Sequence, residues 1–67
     1  MITITVNSIA QQFDSPLNVT KLVEYMQLGN KRIAIECNGE IVPRGQYNQH
    51  ILCDGDKLEV VVAVGGG

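Results

Sequence analysis

The sequence closes on Gly65-Gly66-Gly67, and these three residues have the sharpest chemical reading in the chain. A carboxylate is a poor electrophile because its charge is delocalised and oxide is a bad leaving group. Joined to AMP it becomes a mixed anhydride, which a sulfur nucleophile can open. Glycine suits such a step because, lacking Cβ, its backbone can thread a narrow channel and approach a nucleotide closely. The plain alternative is a frayed end or linker, the usual fate of terminal glycines. Three features favour the chemical reading. The glycines follow the best-patterned apolar strand of the chain with no polar spacer, the last residue is itself glycine, and three extended residues reach about 10 Å from a globule. Gly67 is then the reacting residue, with Gly65 and Gly66 as the threading arm. Ordering each of these residues in a partner's channel costs roughly 1–2 kcal/mol, so the globule must supply docking area. Val61 and Ala63 are expected on the sheet face away from the helix, with Val64 beside them at the strand's end, and a patch leading into the tail reads as a partner surface. The bland alternative is ordinary exposed apolar surface.

The remaining candidates carry less. His50 and Cys53 stand in H-x2-C spacing with Cys37 as a third possible ligand, but zinc sites need four ligands in recognisable pairs, so no metal site is assigned. Cys37 shares an alternating face with Ile33 and Ile35 and reads as a small core residue. Cys53 as a persulfide carrier lacks a neighbour to lower its pKa, since Asp54 and Asp56 would raise it. His50 has no nucleophile paired with it. Asp54-Gly55-Asp56 reads as a turn. Arg44, held behind Pro43, is a rigidly presented cation that belongs either to the partner surface or to a solvated loop. The glycines before the tail are scattered as turn residues, so there is no phosphate-binding loop.

The elements that position the tail follow from the rest of the chain. Sixty-seven residues of 7.3 kDa, 45% apolar and 18% charged, allow one small domain with one core. A deep catalytic cleft has little room, so a self-sufficient enzyme is disfavoured. Five basic against seven acidic residues give no footprint for nucleic acid or an anionic membrane. No apolar run approaches the ~20 residues that span a bilayer, and no export signal is read in MITITVNSIA. The expected compartment is the cytoplasm, with both cysteines as thiols.

Ile2, Ile4 and Val6 alternate with Thr3 and Thr5, a half-buried strand. Asn7-Ser8 separates it from Ile9 to Phe13, where Ile9, Gln11 and Phe13 share a face, so a hairpin is predicted. Asn18 is a good N-cap for a helix of about ten residues. Val19, Leu22, Val23 and Met26 give that helix one apolar stripe, and Gly29-Asn30 supplies its stop. Arg32 to Cys37 alternates, Asn38-Gly39 is a type I′ turn signal, and Glu40 to Val42 returns before Pro43. After a polar connection from Arg44 to Gln49, Ile51 and Leu52 form a small apolar anchor. Lys57 to Val64 is the last strand, with Leu58, Val60, Val62 and Val64 on its inner face. A right-handed crossover places it beside and parallel to the first strand. The result is an α+β chain of the β-grasp kind, one main helix held against a mixed sheet of four or five strands. Residues 1–64 form the domain and 65–67 a flexible glycine tail.

Three segments together carry a resemblance. Asn38-Gly39-Glu40-Ile41-Val42-Pro43-Arg44 is followed by Leu52-x-Asp54-Gly55-Asp56-x-Leu58-Glu59-Val60-Val61 and then Ala63-Val64-Gly65-Gly66-Gly67. In order and length the chain resembles the ThiS family, the sulfur carrier proteins of thiamine biosynthesis. The resemblance implies a ubiquitin-like β-grasp fold and a terminal glycine pair at Gly66 and Gly67. It implies that Gly67 is adenylated by a ThiF-like enzyme that uses ATP, with no cofactor held permanently by the carrier. Sulfur would come from a cysteine desulfurase or another persulfide donor, and the resulting thiocarboxylate would pass it to thiazole synthase (ThiG). Three rivals stand beside this. One is the same activation serving molybdopterin synthase or protein modification, one a non-covalent interaction module with an incidental tail, and one a thiol or metal protein using Cys37, His50 and Cys53.

Overall fold

Alternation and turn chemistry dictate most of the architecture in the computed structural model, which describes residues 1–63. Strands β1 (Ile2–Val6) and β2 (Ile9–Phe13) form the first hairpin, and the two-residue strand β3 (Leu17–Asn18) leads into helix α1 (Val19–Tyr25). Strands β4 (Ile33–Cys37) and β5 (Glu40–Val42) form the second hairpin. A 3-10 turn (Arg44–Gln46), the two-residue strand β6 (Ile51–Leu52) and strand β7 (Lys57–Val62) complete the chain. The main sheet runs β2-β1-β7-β4-β5, with β7 parallel to β1 and antiparallel to β4. The pattern implies one helix on a mixed sheet of four or five strands, and the sheet has five. No helix among the described residues is long and apolar enough to cross a membrane.

One face of the sheet carries the core. Ile2, Ile4 and Val6 of β1, Ile35 and Cys37 of β4, and Leu58 and Val60 of β7 pack with Val19, Leu22 and Val23 of α1. The helix starts where expected: Asn18 is extended (φ −85°, ψ 170°) and its Oδ1 accepts the Lys21 amide at 2.8 Å. It stops earlier than the sequence suggests, after seven residues. Gln27, not Gly29-Asn30, takes the left-handed conformation, at φ 61°. Its amide donates to Glu24 O at 3.0 Å and the Leu28 amide to Val23 O at 3.0 Å. This paired pattern is a Schellman stop, sealed by packing Leu28 towards the helix. Burial of Leu28 against the core outweighs the ~1–2 kcal/mol that a residue with a Cβ loses in this region. Gln27→Gly should relieve that penalty, less the ~0.4–1 kcal/mol that glycine adds to unfolded-chain entropy. A net gain of about 0.5–1 kcal/mol, read as a raised urea midpoint at unchanged slope, is the expected outcome.

Two further departures concern the chain ends of elements. Ile51 and Leu52 are not only an anchor: they pair antiparallel with Leu17 and Asn18 as a second, two-stranded sheet, and Leu52 is fully buried. Val19 N–H donates to His50 O at 3.0 Å, so this small sheet ties the connection to the start of the helix. Strand β7 ends at Val62, which is 38% exposed. Val64 and the glycine tail lie outside the described residues.

Candidate functional site

The element that delivers the tail is β7, and its neighbours fix it from both sides. Against β4 its register runs through five pairs, from Cys37↔Leu58 to Ile33↔Val62. Beyond the last pair the Ala63 amide still donates to Arg32 O at 2.8 Å. Against β1 the ladder covers only Thr5↔Lys57 and Val6↔Leu58, and Asn7 continues it with its side chain. The Asn7 amide donates to Val60 O at 3.0 Å, and Asn7 Oδ1 accepts the Val60 N–H at 2.7 Å. The main chain is therefore fixed by bonds on both flanks as far as Val60, and by its pairing with the β4 side from there to Ala63. Gly65, Gly66 and Gly67, the residues assigned to threading and reaction, and Val64 beside them, follow outside the described residues.

Val61 lies on the sheet face opposite the helix and is 62% exposed; Ala63 is exposed as well. The type I′ turn at Asn38-Gly39, with φ 53° and 88°, fixes what shares that face. It sets Glu36 opposite Ile41, and Ile41 is 72% exposed. Ala34 stands opposite Val61, and Glu36 stands directly opposite Glu59. The open face thus joins apolar Val61, Ala34 and Ile41 to two adjoining carboxylates, an arrangement that like-charge repulsion disfavours in isolation. Ile41 and the Glu36–Glu59 pair do not figure among the sequence-assigned residues. The signal was present in the hairpin register, since Val42 inward requires Ile41 outward.

Arg44 is placed elsewhere. Pro43 (φ −62°, ψ 144°) opens the 3-10 turn that carries it, and Arg44 lines a cleft of about 240 Å³ with Val23, Leu28, Lys31 and Tyr47. That cleft involves the helix, whereas Val61 belongs to the uncovered face, so the structure does not bring Arg44 and Val61 into one patch.

The thiols and carboxylates have local occupations. Cys37 is buried, and burial above all, then the charges of Asp56, Cys53 and Glu40, push its thiol above the ordinary value. A thiol held protonated is a poor nucleophile. Cys53 is exposed. Asp54 Oδ1 accepts the Thr3 N–H at 2.7 Å, and Asp56 accepts Cys53 N–H at 2.9 Å and Asn38 Nδ2 at 3.1 Å. These carboxylates stitch the turn at Gly55 (φ 92°) to β1 and to the second hairpin. Among the described residues no three His, Cys, Asp or Glu side chains are grouped to hold a metal ion.

Comparison with known proteins identifies the family. A sequence model described as the ThiS family matches residues 3–67. The chain belongs to the ThiS family. The sulfur carrier protein ThiS of Escherichia coli is 34% identical over 61 residues, which cover 91% of this chain and 92% of that protein. A thiazole synthase of Paramagnetospirillum magneticum is 36% identical over 64 residues, 96% of this chain. The matched part is 20% of that relative, so the chain spans one fifth of its length. The crystal structure of a thiamine biosynthesis protein (ThiS) from Geobacter metallireducens superposes with a TM-score of 0.83 at 30% identity, covering 98% of this chain and 100% of that one. The β-grasp fold is therefore shared with a solved ThiS protein.

Proposed function

We infer that this ThiS-family chain is a sulfur carrier for thiazole formation in thiamine biosynthesis, a co-substrate and not a catalyst, working in a reducing cytoplasm. The observation that carries this reading is the bonding of β7, paired on both flanks and held at Ala63 by Arg32 O at 2.8 Å. The sheet thereby holds the chain up to the residue before Val64 and the glycines, which the reading takes as the reacting end. The Gly67 carboxylate attacks the α-phosphorus of ATP on a ThiF-like activating enzyme, and pyrophosphate leaves. The terminal sulfur of a persulfide, supplied by a cysteine desulfurase or similar donor, then attacks the acyl carbon. The bond to AMP breaks and AMP departs with the electron pair. A second thiol reduces the acyl disulfide, leaving the thiocarboxylate on Gly67 and the donor sulfur in a new disulfide. ATP is consumed by the partner and none stays with the carrier.

A carrier-like segment inside a polypeptide named thiazole synthase supports thiazole synthase as the acceptor over a molybdopterin enzyme. Val61 and Ala63 form the docking face nearest the tail, continued by Ile41, and Gly65 and Gly66 pass through the partner's channel. Intact-mass measurement after incubation with ATP, activating enzyme and sulfur donor tests the reading. The expected species is heavier by one oxygen exchanged for sulfur and maps to Gly67. Its absence, with an activating enzyme that turns over a control carrier, would leave the interaction-module reading instead.

A further inference from the structure

The two edges of the main sheet are finished differently. The β5 edge is three residues long, begins at Glu40 and is followed by Pro43; short length, charge and proline are the usual means of blocking edge pairing. The β2 edge has none of these. Ile9-Ala10-Gln11-Gln12-Phe13 contains no charge and no proline, and its five consecutive pairs with β1 run without a bulge. Bonds on the far side of β1 show which way its backbone faces. Thr5 N–H donates to Asp56 O and Asn7 N–H to Leu58 O, each at 2.9 Å. Ile2, Ile4 and Val6 are therefore turned to β2, where they meet Phe13, Gln11 and Ile9. By the alternation of an antiparallel ladder, Ala10 and Gln12 point their N–H and C=O groups outward. Neither residue takes part in the loop and turn backbone bonds of the described residues.

We propose that this edge is an interaction surface for a second copy of the chain, paired antiparallel about a two-fold axis at Gln11. Ala10 then faces Gln12 of the second copy, and Gln12 faces its Ala10. Both are outward-turned positions, so the two pairs close four main-chain bonds. Side chains agree with the same register. Ile9, 63% exposed, meets Phe13 of the second copy on the helix side, where Phe13 already makes an edge contact with Tyr25 (centroids 5.0 Å, 74°). Asp14 falls opposite Ser8 of the second copy, so no carboxylate faces another. A strand is the occupant because the unpaired groups are backbone. A second copy is the occupant because outward residues and apolar residues are both symmetric about Gln11. The strand β7 lies two places into the sheet, so this pairing leaves the Val61 face and the strand's end uncovered and does not depend on the sulfur chemistry.

Sedimentation equilibrium of the full chain from about 10 μM to about 1 mM, the range of weak association, tests this. The mass should rise from 7.3 kDa towards twice that value. In the same samples the Ala10 and Gln12 amides should exchange more slowly with solvent as concentration rises. Ala10→Pro removes one outward donor without touching the β1 ladder. A double change, Ala10→Lys with Gln12→Lys, sets lysine against lysine twice at exposed positions and carries the test if the proline variant fails to fold. Each should weaken association at least about tenfold, the equivalent of losing one good contact. A chain that stays monomeric throughout, a dimer unmoved by the double-lysine variant, or protection mapping away from Ala10 and Gln12 would each overturn the proposal.

Discussion

Removal of Gly67 is expected to reduce thiocarboxylate formation by at least about 10²-fold while leaving the melting temperature unchanged. The variant still ends in a carboxylate, now on Gly66, so the chemistry is not deleted; it is displaced. One extended residue is about 3.3–3.6 Å, and a misplacement of about 1 Å can already cost about 10²-fold where two reacting groups must be aligned. The fold is expected to lose nothing, because among the described residues every buried core side chain lies at or before Val60. Pyrophosphate release and intact mass, measured beside a thermal melt, separate the two effects. Sulfur loading at the wild-type rate would remove Gly67 from its assigned role. Lost loading with a lowered melting temperature would instead mean that the tail contributes to the fold. Deleting Gly67 should also leave any pairing through β2 intact, since that edge lies two strands from β7.

How far such a site can be read from sequence depends on the range of the forces that make it. Asn38-Gly39 is legible because a two-residue turn needs left-handed backbone at both positions, and these two residues supply it locally. The place of β7 is legible because chirality restricts the crossover and because an apolar strand needs a central position. The helix stop is not legible in the same way. Gly29-Asn30 is the better local signal, yet Gln27 is chosen because Leu28 packs against the core, a preference set by the assembled fold. Strands β3 and β6, at two residues each, are too short for any periodicity, and only the burial of Leu52 reveals them. Arg44 could be recognised as a presented cation, but its direction depends on the 3-10 turn that follows Pro43 and on the helix across the cleft. Val61 was legible on the open face through alternation alone. Its neighbours Ile41 and Glu36 required the hairpin register to be carried across three strands.

Asn7 shows how far a local reading can understate a residue, and its replacement should have the largest effect on stability among the exposed positions. As a turn residue it needs only to tolerate φ 50°, which asparagine does better than alanine. In the structure it also replaces a length of β-ladder, bonding both the N–H and the C=O of Val60. Asn7→Ala loses two hydrogen bonds worth about 1 kcal/mol each and adds about 1–2 kcal/mol of left-handed strain. The sum, about 3–4 kcal/mol, is a large part of the roughly 3–10 kcal/mol available to a chain of this length. A fall in melting temperature of about 12–30 °C is expected. Asn7→Gly separates the contributions, since glycine accepts the turn but leaves Val60 without its partner. It should recover only the strain and remain about 2 kcal/mol below the parent chain. Asn7→Asp keeps the turn and an acceptor for Val60 N–H, but brings a carboxylate against Val60 O where a donor stood, so it should fall below the glycine variant at neutral pH. If the glycine variant instead melts with the parent chain, Asn7 is a turn residue alone and the clamp on β7 contributes nothing to the fold.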